Sequence, residues 1–205
     1  MSRTAVALAA AAGVVALVVT IIVVSLVPLP EFEPLAPNNM SGSLAFVDED
    51  NCVHIANLGA ATVTELRCEP EQAWIEEITW TEQGIEITAY LNQPTTRVLD
   101  PLTGEILGTR VGDEVISDPP LAPVGLVVDS PDEGEIVIFD EDDRKLLILQ
   151  GPERYWIESA IPNTDLGLVA ITDSLGRLAV FDRNEPEPLL VSDDARSWPY
   201  PVWEP

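Results

Sequence analysis

The chain carries an internal repeat of about 41 residues, and this repeat constrains its fold more than any other feature. A glycine recurs at intervals of 42, 41 and 42 residues, and an asparagine or aspartate follows each glycine by 15 or 16 residues. Ile or Val stands two positions before each of these Asx residues, which repeats one face of the same strand four times. The glycines are Gly42, Gly84, Gly125 and Gly167, and the Asx residues are Asn57, Asp100, Asp140 and Asp182.

Each repeat divides into four short strands, A to D, separated by turn residues. In the second repeat, strand A covers residues 74–80 and strand D covers residues 105–111. No stretch after residue 40 shows sustained helical periodicity, so an all-β class is predicted. Four strands in about 41 residues is the size of one β-propeller blade. We expect a four-bladed or partial β-propeller with repeats near 42–83, 84–124, 125–166 and 167–205.

Two turns of the second repeat carry a resemblance to known families. Residues 80–84 read Trp-Thr-Glu-Gln-Gly between strands A and B, and residues 100–105 read Asp-Pro-Leu-Thr-Gly-Glu between strands C and D. The chain thereby resembles TolB-like and WD-repeat-like propellers, whose blades carry W-S-P-D-G-like and D-x-x-T-G-E-like turns at these places. The resemblance covers some 160 residues, although the other three repeats lack the Trp or the Pro-Asp.

The C-terminus resembles a strand A without a partner. Residues 198–203 have the pattern of that strand, whereas no good strand A precedes Gly42. Laying the last strand beside the first three would close a ring and remove exposed sheet edges. We therefore expect residues 196–203 to complete the first blade.

Residues 5–27 form an apolar stretch without a charged side chain. At ~1.5 Å per residue this stretch is long enough to cross a bilayer as one helix. Arg3 precedes it and Glu31 follows it, so the positive-inside rule places residues 1–4 in the cytoplasm. Four prolines in residues 28–40 predict an extended stalk, and the domain is expected over residues 41–205. This topology predicts a single-pass cell-membrane protein with an extracytoplasmic C-terminal domain.

The domain is strongly acidic. All 35 acidic residues but only nine of the ten basic residues follow residue 30, which gives a net charge of −26. Nucleic acid and anionic lipid surfaces are excluded as partners because both require a positive footprint. A solvated surface or a cationic partner fits this charge.

Cys52 and Cys68 are predicted to form a disulfide. A hairpin turn centred on Ala60 places the two cysteines directly opposite each other, and the predicted compartment is oxidising. Two buried free thiols are the alternative. A metal site would need more ligands than these cysteines and the single, distant histidine offer.

Nothing in the sequence marks an enzyme, a cofactor site or a metal site. His54 is the only histidine, and its place in a strand is typical of a partly exposed structural residue. The chain has no G-x-S-x-G elbow, P-loop or G-x-G-x-x-G. The acidic turns at residues 48–51, 129–135 and 140–143 lack calcium-loop spacing, so solvated turns are expected, and the middle one is the best calcium candidate.

One arginine recurs in each repeat at or just after strand D, and aromatic residues begin the next strand A. The arginines are Arg67, Arg110, Arg154 and Arg196, and the aromatic residues are Trp74, Tyr155, Trp156, Trp198 and Tyr200. In a propeller the D-to-A connections cross one face toward the axis, so these groups would gather there. The predicted binding residues are Arg110, Arg154, Tyr155, Trp156, Arg196 and Trp198. Alternatively, the Trp residues pack between blades and the arginines neutralise nearby carboxylates.

These patterns favour a non-catalytic binding or assembly module that presents one propeller face to a protein or an anionic small ligand. A second hypothesis is an incomplete propeller subunit of a homo- or hetero-oligomeric complex, in which the Ala9-to-Gly13 spacing contributes to helix association. The third is a hydrolase or lyase that uses carboxylates in the central channel. Fold alone does not choose among them.

The topology has a direct test. Protease added outside intact cells is expected to remove the whole domain and leave a small membrane stub, because residues 1–4 are placed inside. Immunoblotting against tags at each terminus measures this. Protection of the C-terminal tag in intact cells, with digestion after permeabilisation, would contradict the assignment.

Overall fold

The computed structural model describes residues 29–112, 127–129, 135–140, 142–150, 157–185, 187–196 and 198–205. These described residues form sixteen strands and no helix. None of the described segments is a helix that could span a membrane, and the predicted span at residues 5–27 lies outside them. The strands are β1 (Glu33–Pro34), β2 (Ser43–Val47), β3 (Cys52–Asn57), β4 (Thr62–Cys68), β5 (Trp74–Thr81), β6 (Gly84–Tyr90), β7 (Pro94–Leu99), β8 (Ile106–Val111), β9 (Val127–Asp129), β10 (Glu135–Phe139), β11 (Lys145–Gln150), β12 (Ile157–Asn163), β13 (Leu168–Asp173), β14 (Leu178–Asp182), β15 (Leu189–Ser192) and β16 (Val202–Trp203).

Within the described residues the strands form four sheets, which confirms the all-β class. Sheet 1 has the order β16-β2-β3-β4, sheet 2 has β5-β6-β7-β8, sheet 3 has β11-β10-β9, and sheet 4 has β1-β15-β14-β13-β12. Every pair is antiparallel except β1 with β15. Small sheets that follow chain order are the arrangement of propeller blades, so the fold is propeller-like.

The last strand completes the first sheet. Val202 pairs with Ala45 and Trp203 pairs with Leu44, so β16 covers the edge of β2. A further isolated bridge joins Asp48 to Ala195. The predicted position of the C-terminal strand is confirmed, although the paired segment is shorter than residues 196–203.

Hydrophobic clusters among the described residues lie between neighbouring sheets. Sheets 1 and 4 share a cluster that includes Phe46 and Val180, sheets 1 and 2 share one that includes Val53 and Ile75, and sheets 3 and 4 share one that includes Phe181. Burying side chains of this size stabilises a fold by roughly 1.5–3 kcal/mol each. The clusters place the sheets in the order 2-1-4-3.

The repeat has a local physical cause, because each Asx residue caps the turn after its strand. Asp100 Oδ1 accepts hydrogen bonds from the N–H groups of Leu102 and Thr103 at 2.8 and 3.0 Å, and these bonds hold the pKa of Asp100 below its ordinary value. Gly84 has φ +135°, and a Cβ there would lie 2.3 Å from the Leu99 carbonyl oxygen. The other Asx caps are Asn57 to Ala60, Asp140 to Asp142 and Arg144, and Asp182 to Asn184.

Part of the predicted stalk packs on the domain. The N–H groups of Glu33 and Leu35 donate to the carbonyl oxygens of Pro188 and Leu190 at 3.1 and 3.0 Å, which adds β1 to the edge of sheet 4. The Arg177 guanidinium lies 4.6 Å from the centroid of the Phe32 ring. Two residues of this segment, Glu33 and Pro34, therefore extend sheet 4 as an edge strand.

Removal of residues 202–205 tests the closing strand. The deletion exposes the edge of β2 and removes the bond from Trp203 Nε1 to the Ile161 carbonyl oxygen, which is 3.0 Å long. We expect the free energy of unfolding to fall by about 2 kcal/mol or more, or the domain to self-associate. Denaturant unfolding and light scattering measure these effects, and deletion of Pro205 alone is the control. An unchanged, monomeric deletion variant would show that β16 contributes nothing to closure.

Candidate functional site

Two chain connections and one turn meet at one end of the sheets. The Glu49 N–H donates to the Asp194 carbonyl oxygen at 3.0 Å, and the Arg196 N–H donates to the Val47 carbonyl oxygen at 2.7 Å. These bonds join the β2–β3 turn to the connection between β15 and β16. We call this end of the domain the Arg196 face and define it as residues 48–51, 69–74, 193–196 and 198–200.

Asn51 joins the elements of this face. It is 3% exposed, with φ +68°, a left-handed conformation that Asn adopts more readily than most residues. Its Nδ2 donates to the Ala73 carbonyl oxygen at 2.9 Å. Its Oδ1 accepts from the Ile75 N–H at 3.1 Å and from Arg196 Nη1 at 2.9 Å. One side chain therefore ties the first two sheets to the C-terminal connection.

Arg196 is held on three sides. Besides the bond to Asn51, its Nη2 donates to the Glu49 carbonyl oxygen at 3.0 Å, and its guanidinium carbon lies 4.0 Å from the centroid of the Trp74 ring. Burial lowers the pKa of Arg196, while the nearby carboxylates of Asp48, Glu49 and Asp50 oppose that shift. Through these contacts Arg196 acts as a clamp between the β2–β3 turn, the start of β5 and the C-terminal connection.

The Arg196 face also carries half-exposed aromatic side chains. Trp74, Trp198 and Tyr200 are 50%, 49% and 44% exposed. The Trp198 and Tyr200 rings meet edge to face with centroids 4.8 Å apart. Trp74 begins β5 and pairs with Tyr90, which is also partly exposed. Trp74 contacts Arg196, and Trp198 and Tyr200 follow Arg196 in the chain, so these three are the exposed aromatic residues of the Arg196 face.

A small pocket is lined in part by Glu69 and Ala73 of the same face. It has a volume of about 180 Å³ and lies between the β4–β5 connection and the β6–β7 turn. We call it the Arg97 pocket. Its lining includes Glu69, Ala73, Leu91, Asn92, Gln93 and Arg97.

The six predicted binding residues fall in different places. Arg196 and Trp198 lie on the Arg196 face. Arg110 lies on β8, where its Nη2 donates to Glu86 Oε2 at 2.7 Å. Burial, with the charges of Glu76 and Glu86, raises the pKa of Glu77 beside this pair, so Arg110 offsets a cluster of carboxylates on sheet 2. Arg154, Tyr155 and Trp156 lie outside the described residues.

The predicted disulfide between Cys52 and Cys68 is present, and the two cysteines are paired across β3 and β4. Glu65 lies close to both sulfur atoms, and carboxylate and thiolate groups at such distances can hold a metal ion. The disulfide removes both thiolates, so these three residues form no metal site in the oxidised protein.

His54 and the acidic turns have structural partners. Asp48 Oδ2 accepts from His54 Nε2 at 2.7 Å, and the His54 ring stacks on Phe46 with centroids 5.2 Å apart. Asp48 Oδ1 accepts from the Cys52 N–H at 2.8 Å. The Asp140 carboxylate caps its own turn in the same way. Most of the turn at residues 129–135 lies outside the described residues.

Sequence reasoning did not select Asn51, Glu69 or Arg97. Asn51 is the last residue of an acidic turn. Only its buried contacts with Ala73 and Arg196, which lie 22 and 145 positions later in the chain, reveal its role. Glu69 accepts from Arg97 across 28 positions. No local pattern connects residues so far apart.

No family model matches the chain, and no curated protein matches it. Similar solved structures include a chain of the mitotic checkpoint complex, with 14% identity, a TM-score of 0.32, and coverage of 82% of this chain and 49% of that chain. The Dos1 propeller has 15% identity, a TM-score of 0.28, and coverage of 84% and 48%. The computationally designed Ika8 protein has 17% identity, a TM-score of 0.28, and coverage of 78% and 48%. This chain spans about half the length of each, and similarity at these scores carries no argument about function.

Replacing Arg196 with alanine tests the clamp. The variant loses the contacts with Asn51, Glu49 and Trp74, so we expect the free energy of unfolding to fall by about 1–3 kcal/mol. Arg110→Ala is the matched control, because that side chain is 51% exposed and a surface ion pair contributes about 0–1 kcal/mol. Denaturant unfolding measures both variants. Equal effects would show that Arg196 has no special structural role.

Proposed function

We propose that this chain is a non-catalytic binding module that residues 5–27 anchor in a membrane and that presents the Arg196 face to a protein partner outside the cytoplasm. The observation that supports it most is the group of half-exposed Trp74, Trp198 and Tyr200 on that face. Trp and Tyr are among the residues that contribute most to measured binding energies at interfaces. Exposed apolar patches of this kind mark interaction sites in soluble domains.

The charges around the aromatic rings favour a basic partner. Glu49, Asp50, Asp193 and Asp194 are exposed on the Arg196 face. Arg196 is already bonded to Asn51 and Glu49, so it neutralises part of this acidic group instead of offering a separate positive patch. Complementary charge steers association and selects among partners. A protein with a Lys- or Arg-rich segment is therefore the proposed partner of the aromatic surface.

The contacts of the titratable groups support a non-catalytic role. Asp48 and His54 bind each other, and Asp48 also holds the β2–β3 turn. Glu69 is bound by Arg67 and Arg97. Each of these groups forms a hydrogen bond or an ion pair that holds the described fold together. A hydrolase or lyase that used these groups in catalysis would have to break those contacts.

The pairing of β16 with β2 supports a ring that a single chain completes. An incomplete propeller subunit would need the edge of β2 for a second molecule, but β16 already occupies that edge. Association through the small residues at Ala9 and Gly13 remains compatible with this proposal, because those residues lie in the proposed anchor.

The test begins by crosslinking and identifying the partner of the full-length protein in its native membrane, followed by affinity measurement with that purified partner. Replacing Trp198 and Tyr200 with alanine is expected to weaken binding at least tenfold, equivalent to about 1.4 kcal/mol. Leu102→Ala with Leu107→Ala is the matched control, since those side chains are 88% and 57% exposed away from the Arg196 face. Equal affinities of both double variants would place the binding surface elsewhere.

The charge of the partner has a separate test. Asp50→Lys with Asp193→Lys reverses two exposed charges on the face, so the association rate should fall at least tenfold at low salt. Asp165→Lys, an exposed carboxylate in the β12–β13 turn, is the control. Stopped-flow measurement over a range of salt concentrations compares the variants. A faster association of the reversed variant would identify an acidic partner instead.

A further inference from the structure

The Arg97 pocket contains a buried carboxylate shared by two arginines. The Glu69 side chain is 1% exposed. Its Oε2 accepts from Arg97 Nη1 at 2.6 Å, and its Oε1 accepts from Arg67 Nε at 3.4 Å. Two guanidinium groups and one carboxylate leave a local charge of about +1, in a domain whose other charges are mostly negative. Of these three groups, Glu69 and Arg97 line the pocket, and Arg97 is the cation among them.

Arg97 has donors to spare. A guanidinium carries five N–H donors in a planar fork that matches a carboxylate. Among the described residues, Arg97 makes a single ion pair, through Nη1 with Glu69. Its side chain is 24% exposed and lines the pocket, so solvent and small solutes reach it.

The rest of the lining combines amides with small apolar groups. Asn92 and Gln93 lie in the exposed β6–β7 turn, and Ala73 and Leu91 supply apolar surface. Side-chain amides donate to carboxylate oxygens, while the apolar part fits a methyl or another short side chain. A volume of about 180 Å³ is below the range of drug-sized sites, so the ligand must be small or must be the end of a longer chain.

We propose that the Arg97 pocket binds a carboxylate group, with Arg97 as the ion-pair partner and Asn92 and Gln93 as additional donors. The carboxylate belongs either to a free small organic acid or to the C-terminus of a peptide. In the second case the inference rests on the proposed function, because Glu69 and Ala73 of the Arg196 face line the pocket, which would receive the chain end of the docked partner.

The probe is N-acetylalanine, titrated into the full-length protein in detergent micelles at about 0.15 M salt, where the field of distant carboxylates is screened. The side-chain amide signals of Asn92 and Gln93 are followed by NMR. We expect saturable shifts with the acid and none with N-acetylalaninamide, which has the same size without the charge. Arg97→Gln is expected to weaken binding at least tenfold, whereas Arg110→Gln leaves it unchanged.

Since Arg97→Gln also removes a partner of buried Glu69, a second variant keeps the fold intact. Asn92→Asp adds a negative charge to an exposed turn and is expected to weaken binding at least tenfold at an unchanged melting temperature. The proposal is overturned if acid and amide give equal shifts, or if a folded Asn92→Asp variant binds the acid as tightly as the original protein.

The source of the carboxylate follows from a second probe. If N-acetyl-trialanine binds at least tenfold more tightly than N-acetylalanine, the ligand of the pocket is a peptide C-terminus. If the two affinities are equal, the ligand is a free small acid. These probes do not involve the aromatic surface. A failure of carboxylate binding is therefore distinguishable from a failure of the Trp198 and Tyr200 variants to affect the protein partner.

Discussion

The pairing of β16 with β2 is the contact on which the Arg196 face depends. It pairs Val202 and Trp203 with Ala45 and Leu44 of β2, so strands from the two ends of the domain lie side by side. Because of this pairing, Arg196 lies against Asn51, a residue 145 positions earlier in the chain. The same pairing brings residues 193–196 and 198–200 to the end of the sheets where β5 begins. Closure of the first sheet therefore also builds the surface for which we propose a binding role.

Local turn chemistry explains how much of the fold could be predicted from the sequence. The recurring glycine begins strand B with positive φ in the described repeats, and the recurring Asx caps the next turn. Both requirements act within a few residues, so they leave a periodic pattern in the sequence. The disulfide was predictable for the same reason, since hairpin register fixes which residues face each other.

Contacts between distant segments were not predictable in this way. The prolines of residues 28–40 indicated an extended chain, but nothing local showed that β1 adds to sheet 4 or that Arg177 Nη1 donates to the carbonyl oxygen of Pro30, 147 positions away. The sequence pattern selected Trp198, which is half-exposed in the structure. It did not select the pocket, because Glu69 and Arg97 meet only in the folded chain. Periodicity located Arg196 but did not distinguish a clamp from a free binding group.

The Arg196 face carries exposed carboxylates, and the Arg97 pocket beside them contains a guanidinium group. The charge that a partner meets therefore depends on how far the partner is from the surface. Within a Debye length of the surface, about 10 Å at 0.1 M salt, an approaching molecule meets the combined field of an acidic domain. At contact, Arg97, which shares the Glu69 carboxylate with Arg67, offers its remaining guanidinium donors in the pocket. A basic segment that ends in a carboxylate satisfies both conditions, because its side chains are attracted from a distance and its terminus is bound only after docking. A free acid satisfies the second condition alone, and the acidic domain repels it on approach.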